Sequence, residues 1–177
     1  MRGSFAIAVG VLVALLPLRA GAETYSSDVY GFSAVFPADV TIGDPQGSET
    51  DAKGHYISKS VIVQSRVMGI WTAMVTVDSY TVARKLDVNS ALTLRPKMFA
   101  AQLDATITAS KPGKVGPYKA RFFSYQTNDK KSSGKGIEIV VPSEKPRTFE
   151  VLTSHTDLAS PENIADLENF LDSFQPK

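Results

Sequence analysis

Residues 160–174 read SPENIADLENFLDSF, and they set the terms for everything before them. The hydroxyl of Ser160 can accept a backbone N–H at a helix start, and Pro161 suits the first helical position, where no N–H is needed. Glu162 complements the positive end of the helix. Ile164, Leu167, Leu171 and Phe174 then recur at spacings of three, four and three, which makes one buried stripe. Ala165 and Phe170 widen it, while Asp166, Glu168, Asn169 and Asp172 fall mostly on the wet side. Such a stripe needs an apolar partner, and a sheet face supplies one.

Strands to build that face precede it. Phe32, Ala34 and Phe36 alternate before Pro37, as in a short strand. His55 to Val67 and Ile70 to Tyr80 form two further runs. In the second, Trp71, Ala73, Val75 and Val77 share one face at period two, and Trp71 is expected in the core. Met68-Gly69 between the runs predicts an antiparallel hairpin. Tyr118 to Gln126 alternates again, with Tyr118, Ala120 and Phe122 on one face and Phe123 on the other. Gly136 to Val141 and Arg147 to Ser154 supply the last two strands, joined across Pro142 to Pro146. Ala105 to Ser110 is a further candidate strand, and Pro112-Gly113 and Gly116-Pro117 are turn signals. Val40 to Gly54, rich in Gly, Asp, Ser and Thr, predicts a mobile loop, and Asn128 to Gly134 a polar one.

The middle changes period. Asn89 or Ser90 can cap a helix, but Pro96 falls inside the following stretch, where an imide is tolerated only in the first turn or at a kink. The best helix is therefore expected from Pro96 to Ala105, with Phe99, Leu103 and Met98 facing the core, preceded by a shorter turn or helix from Ser90 to Leu94. The fold class that follows is α+β: a mainly antiparallel sheet covered by a middle helix and a carboxy-terminal helix.

Tyr30-Gly31-Phe32-x-x-x-Phe36-Pro37 resembles the opening of the PsbP-like superfamily, and Phe170-Leu171-Asp172-Ser173-Phe174 resembles its closing helix. The order of elements between them is similar too. The resemblance implies an α/β/α sandwich. It also implies kinship with bacterial exported proteins to which no activity is assigned. It carries no catalytic or metal motif to any residue of this chain.

The amino terminus gives the compartment. Met1-Arg2-Gly3-Ser4 bears one positive charge, and Phe5 to Leu18 is a 14-residue run without a charged or strongly polar side chain. Ala20 and Ala22 stand at the −3 and −1 positions of a signal-peptidase site. Spanning a bilayer takes roughly 20 apolar residues, so residues 1–22 are read as a cleaved secretory signal and 23–177 as one globular domain. Export through the Sec route to the periplasm or the medium is the expected destination. The absence of cysteine excludes a disulfide framework, a thiolate metal site and lipid attachment at the cleavage point. Removing residues 1–22 takes away Arg2 and Arg19. Basic residues fall from 19 to 17 against 18 acidic, so the net charge moves from +1 to −1. A near-neutral domain does not suit general nucleic-acid binding, which needs a basic excess.

Chemistry-bearing patterns are sparse. The two histidines, His55 and His155, lie near strand ends, with Asp157 as the nearest additional ligand, and predict no metal site. Ser154-His155-x-Asp157 has the residue types of nucleophilic catalysis, but such groups meet across a fold, not as neighbours. No phosphate loop is present, and no cofactor is expected. Lys130, Lys131 and Lys135 cluster in the polar loop, where phosphate, anionic headgroups or an acidic partner are conceivable contacts; a solvated loop is the simpler reading. Three functional classes follow. The first is a non-enzymatic envelope protein that binds or assembles another protein. The second is a carrier of a small apolar or anionic ligand. The third is a hydrolase with an unrecognised site.

Overall fold

A computed structural model describes residues 21–177, so the leader up to Ala20 lies outside the described residues; Ala22 is exposed and immediately precedes the first strand. The elements run β1 (Glu23–Ser27), β2 (Phe32–Phe36), β3 (Thr41–Ile42), β4 (Gln46–Thr50), β5 (Tyr56–Val67), β6 (Trp71–Tyr80), α1 (Val88–Gln102), β7 (Ala105–Val115), β8 (Tyr118–Thr127), β9 (Ser132–Val141), β10 (Arg147–Thr156), α2 (Pro161–Ser173) and β11 (Gln175–Pro176). The main sheet is antiparallel, in the order β3-β5-β6-β10-β9-β8-β7, with β4 also pairing β5. A small second sheet has the order β1-β2-β11. The architecture is the α+β sandwich expected, with α1 on one face of the main sheet and α2, together with the small sheet, on the other.

The inner face is where the two quoted end motifs meet. Phe32 stacks on Phe174 with centroids 5.5 Å apart, Phe36 lies 4.7 Å from Phe170, and Phe149 of β10 closes edge-on to Phe174 at 5.4 Å. All five rings are 0–1% exposed. They sit on Val63, Ala73, Val75, Val77 and Val151, the inward positions of alternating strands. Trp71 joins this core at 7% exposure. The helix start is as read: Ser160 Oγ accepts from the Asn163 N–H, and Asn163 returns a contact to the Ser160 N–H. Ser173 Oγ accepts the Val35 N–H at 2.8 Å, tying the end of α2 to β2. Gly31 is required because φ is +71° there and a Cβ would strike the Arg147 guanidinium.

Four local expectations are corrected. First, α1 is one continuous helix, because Asp87, not Asn89 or Ser90, caps it, accepting from both of their N–H groups. Pro96 stays inside and turns its ring to the sheet. Second, the buried face of α1 is Leu92, Pro96, Phe99 and Ala100, whereas Met98 is 60% and Leu103 45% exposed. Third, the Val40 to Gly54 segment holds two strands, β3 and β4, both paired with the long β5, whose outer edge needs backbone partners. Fourth, Pro112-Gly113 does not turn the chain but lies within β7, an edge strand where a residue without an N–H is tolerated. The strand β9 also begins two residues before the expected loop ends.

Since Phe170 is fully buried against Phe36, Phe170→Ala is expected to lower the unfolding free energy by about 3–5 kcal/mol in urea titrations. Leu158→Ala, at a 71% exposed position, is expected to change it by less than about 0.5 kcal/mol.

Candidate functional site

Strand alternation dictates the second face of the sheet. On β9, Ile137 and Ile139 point inward, so Glu138 must point outward, and the register sets it opposite Glu150 of β10 on one side and Arg121 of β8 on the other. Thr76 of β6 continues that row beyond Glu150, and Asp78 stands opposite Thr148 in the next row. The outward face is covered only in part. Helix α1 packs over β7, β8 and β9, with Phe99 on Phe123, Tyr125 and Leu152. Glu138 is therefore sealed beneath the helix, at 0% exposure.

One cation from α1 answers this buried charge. Arg95 Nη2 donates to Asp78 Oδ2 at 2.5 Å, and Nε lies 2.5 Å from Glu138 Oε1. The second contact is a charge pair too poorly aligned to be a hydrogen bond, so neither Glu138 oxygen accepts one from the described residues. Thr148 Oγ1 adds a long donor contact to Asp78 at 3.5 Å. Three carboxyls, Asp78, Glu138 and Glu150, thus share one guanidinium. Burial pushes the Glu138 carboxyl well above its ordinary value against the pull of Arg95, and Glu150 pushes it the same way. Burial likewise raises Glu150 to about 7, opposed by Arg95 and reinforced by Asp78. Burial works against the charge on Arg95, but Glu138 and Asp78 overcome it and hold the guanidinium firmly ionised.

Beside this cluster a groove of about 340 Å³ opens between α1 and β4. Its floor is Ser60, Thr76, Asp78 and Glu150; Met98 and Gln102 form the helix bank, and Ser48 and Glu49 the other. Glu49 is already engaged: the Tyr80 hydroxyl donates to Oε1 at 2.5 Å, and Arg84 pairs with Oε2. Burial, with that bond to Glu49, pushes Tyr80 up to about 12. Glu150 is the carboxyl that reaches the groove without a hydrogen-bond donor among the described residues.

The residues singled out from the sequence lie elsewhere. Lys130, at φ +60°, and Lys131, paired with Asp129 at 3.6 Å, form the β8–β9 turn. Lys135 stands apart from them on β9 and pairs with Glu168 of α2 at 2.6 Å. His55 is 3.4 Å from Asp51 beside the start of β5. His155 pairs in register with Trp71 at the far end of β6, its Nε2 3.4 Å from Ser133 Oγ. The two imidazoles are thus separated by the length of β5, roughly 40 Å over about twelve strand positions. Ser154 and His155 fall on opposite faces of β10, Ser154 on the side of Tyr125.

No family model and no curated protein matches this sequence. Among solved structures, the chain is similar to the solution structure of cyanobacterial PsbP (CyanoP) from Synechocystis sp. PCC 6803, with a TM-score of 0.55 and 14% identity, over 99% of this chain and 100% of that one. The fold is therefore PsbP-like, as the two end motifs imply. At this identity the likeness concerns architecture.

A carboxyl raised above its ordinary value favours the fold while protonated and opposes it once ionised. The contribution of Glu150 is whole below pH 4.5 and is lost as pH rises through about 7, a change on the order of 3 kcal/mol. Glu150→Gln is therefore expected to match the native chain in stability at pH 4 and to exceed it at pH 8, by up to that amount in urea titrations. An unchanged pH profile contradicts the assignment.

Proposed function

We propose that this chain is an exported, non-enzymatic interaction module of the cell envelope, which docks a segment of a partner protein on the part of the main sheet that α1 leaves open. The observation that carries this reading is the half-covered outer face. Met98 on α1 lines the acidic groove and is 60% exposed, and Ile62 on β5, paired in register with Thr76 of its floor, is 41% exposed, while the inner face is filled by phenylalanine rings. Apolar side chains next to directional polar groups are the composition of a recognition surface. Export rests on the leader read in the sequence, and the start of β1 at Glu23, directly after the expected cleavage point, fits it. Among the described residues no helix is long and apolar enough to cross a membrane. The groove offers one accessible carboxyl, Glu150, with Asp78 already held by Arg95, an arrangement suited to holding charge.

A second reading, the carrier of a small apolar or anionic ligand, is favoured by another groove of about 410 Å³. It runs between α2 and the β7–β8 edge, where Phe122, Ile137 and Leu171 lie beside Lys111 and Lys135. There Lys135 is held by Glu168, which leaves Lys111 as the cation for an anionic headgroup.

The two readings separate in one experiment. Residues 23–177 used as bait on the source envelope are expected to capture a protein that an Ile62→Glu, Met98→Glu bait loses. A capture unaffected by the double substitution, or none above background, contradicts docking at this face.

A further inference from the structure

We propose that the groove between the first turns of α1 and the β7–β8 hairpin binds a phosphate group, free or borne on a lipid headgroup, through Lys114, Lys119 and Arg121. This goes beyond the docking reading, because the groove lies on the other flank of α1 from Met98 and from the floor built by β5, β6 and β10.

The hairpin from Ala105 to Thr127 carries four cations, Lys111, Lys114, Lys119 and Arg121, and no acid. Its turn at Gly116-Pro117 fixes which way they face. Val115 pairs with Tyr118 across that turn, so Lys114 stands directly opposite Lys119, and Pro112 opposite Arg121. Arg121 shares its row with Glu138, which lies beneath α1. Strand alternation therefore puts Lys114, Lys119 and Arg121 all on the helix side of the sheet. Like charges directly opposite one another destabilise a sheet, and the chain does little to offset this pair: Lys119 reaches the Asn89 amide oxygen at 3.4 Å, and neither lysine pairs with a carboxylate among the described residues. Arg121 Nη1 donates to Ser110 Oγ at 3.2 Å, while its Nε is shielded and meets no acceptor among the described residues. The two carboxylates that flank the groove in register and in sequence are committed elsewhere. Glu138 pairs with Arg95, and Asp87 accepts from the N–H groups of Asn89 and Ser90 at the helix start. Lysines on an edge strand can act only to discourage pairing with another chain. That accounts for Lys111 and Lys114 on β7, the edge, but not for Lys119 and Arg121 on β8, which is paired on both sides.

The shape fits such a ligand. The groove has a volume of about 510 Å³, within the range of ligand sites and larger than one phosphate, so the group that carries the phosphate has room. Asn89 and Thr93 line the helix bank with hydrogen-bonding groups, Leu92 adds an apolar wall, and no carboxylate lines the groove among the described residues. A guanidinium presents a planar fork that can hold two oxygens of a tetrahedral oxyanion, and the two ammonium groups supply compact charges beside it. Three cations converging from two strands suit a group of more than one negative charge better than a single carboxylate.

The test titrates sodium phosphate at pH 7 into residues 23–177, with sodium chloride at matched ionic strength as the reference, and follows backbone amide NMR shifts. Saturable shifts beyond the chloride reference are expected at Asn89, Thr93, Lys119 and Arg121, with a Kd on the order of 1 mM, and none at Lys131 in the β8–β9 turn. Lys119→Gln, at an exposed position, is expected to weaken the response by about threefold or more, and Arg121→Gln by about tenfold or more, each with a native-like amide spectrum. A second arm sediments the chain with vesicles of phosphatidylcholine containing phosphatidylglycerol, against phosphatidylcholine alone. Retention on the first only, lost in Lys119→Gln, supports the site and assigns the phosphate to a headgroup. Phosphate shifts without retention support it and assign a soluble molecule. Shifts no larger than those of chloride together with no retention, equal shifts at Lys131, or a response that either variant leaves undiminished overturns the proposal.

Discussion

The contact between Arg95 and Glu138 is the constraint around which the outer half of the molecule is arranged. The strand β9 lies third from the edge of the main sheet, flanked by β10 and β8, and is covered on both faces. Because side chains alternate, inward Ile137 and Ile139 oblige residue 138 to lie under α1. A carboxylate there is affordable only with a cation beside it. Arg95 reaches it from the middle of α1, which ties that stretch of the helix to β9. One turn on, Phe99 packs into the ring cluster of Phe123, Tyr125 and Leu152, so polar clamp and apolar contact share one helix face.

The two faces of the sheet do different work. The inner face is bonded by rings from both ends of the chain: Phe32 and Phe36 from β2 meet Phe174 and Phe170 at α2, 142 and 134 residues away in sequence. This face gives stability and closes the fold. On the outer face, three carboxyls cluster around the Arg95 guanidinium. Its composition lowers stability at neutral pH, and positions that cost stability without structural return are where binding is expected to reside.

How much of this was legible in the sequence depended on periodicity. The stripe Ile164, Leu167, Leu171, Phe174 and the alternation of Trp71, Ala73, Val75 and Val77 each repeat with the period of their element, so α2 and the hairpin of β5 and β6 were readable residue by residue. Helix α1 was not, because Leu94, Met98 and Leu103 are apolar yet point outward, which blurs the stripe, and because Pro96 argues for a break that tertiary packing overrides. The strands β3 and β4 were hidden by polar composition, which on a sheet edge is compatible with pairing. The acidic cluster has only a faint trace in the sequence. Asp78, Glu138 and Glu150 each interrupt a β-branched or apolar run, at VTVDSY, GIEIVV and TFEVLT. A charge inside such a run needs a partner, but only the register of β6, β10 and β9 places the three together. The lysines at 130, 131 and 135 stood out by sequence proximity, which the β8–β9 hairpin divides between a turn and a strand.

The central claim, that the contact between Arg95 and the buried Glu138 carboxyl helps to hold α1 on the sheet, is tested most directly by a double-mutant cycle on Arg95→Met and Glu138→Gln in urea at pH 7. The account predicts strongly non-additive losses, with Arg95→Met costly alone and much less costly in the Glu138→Gln background, a coupling of about 1–3 kcal/mol. Additivity within about 0.5 kcal/mol would mean that the two side chains do not depend on one another, and would contradict it.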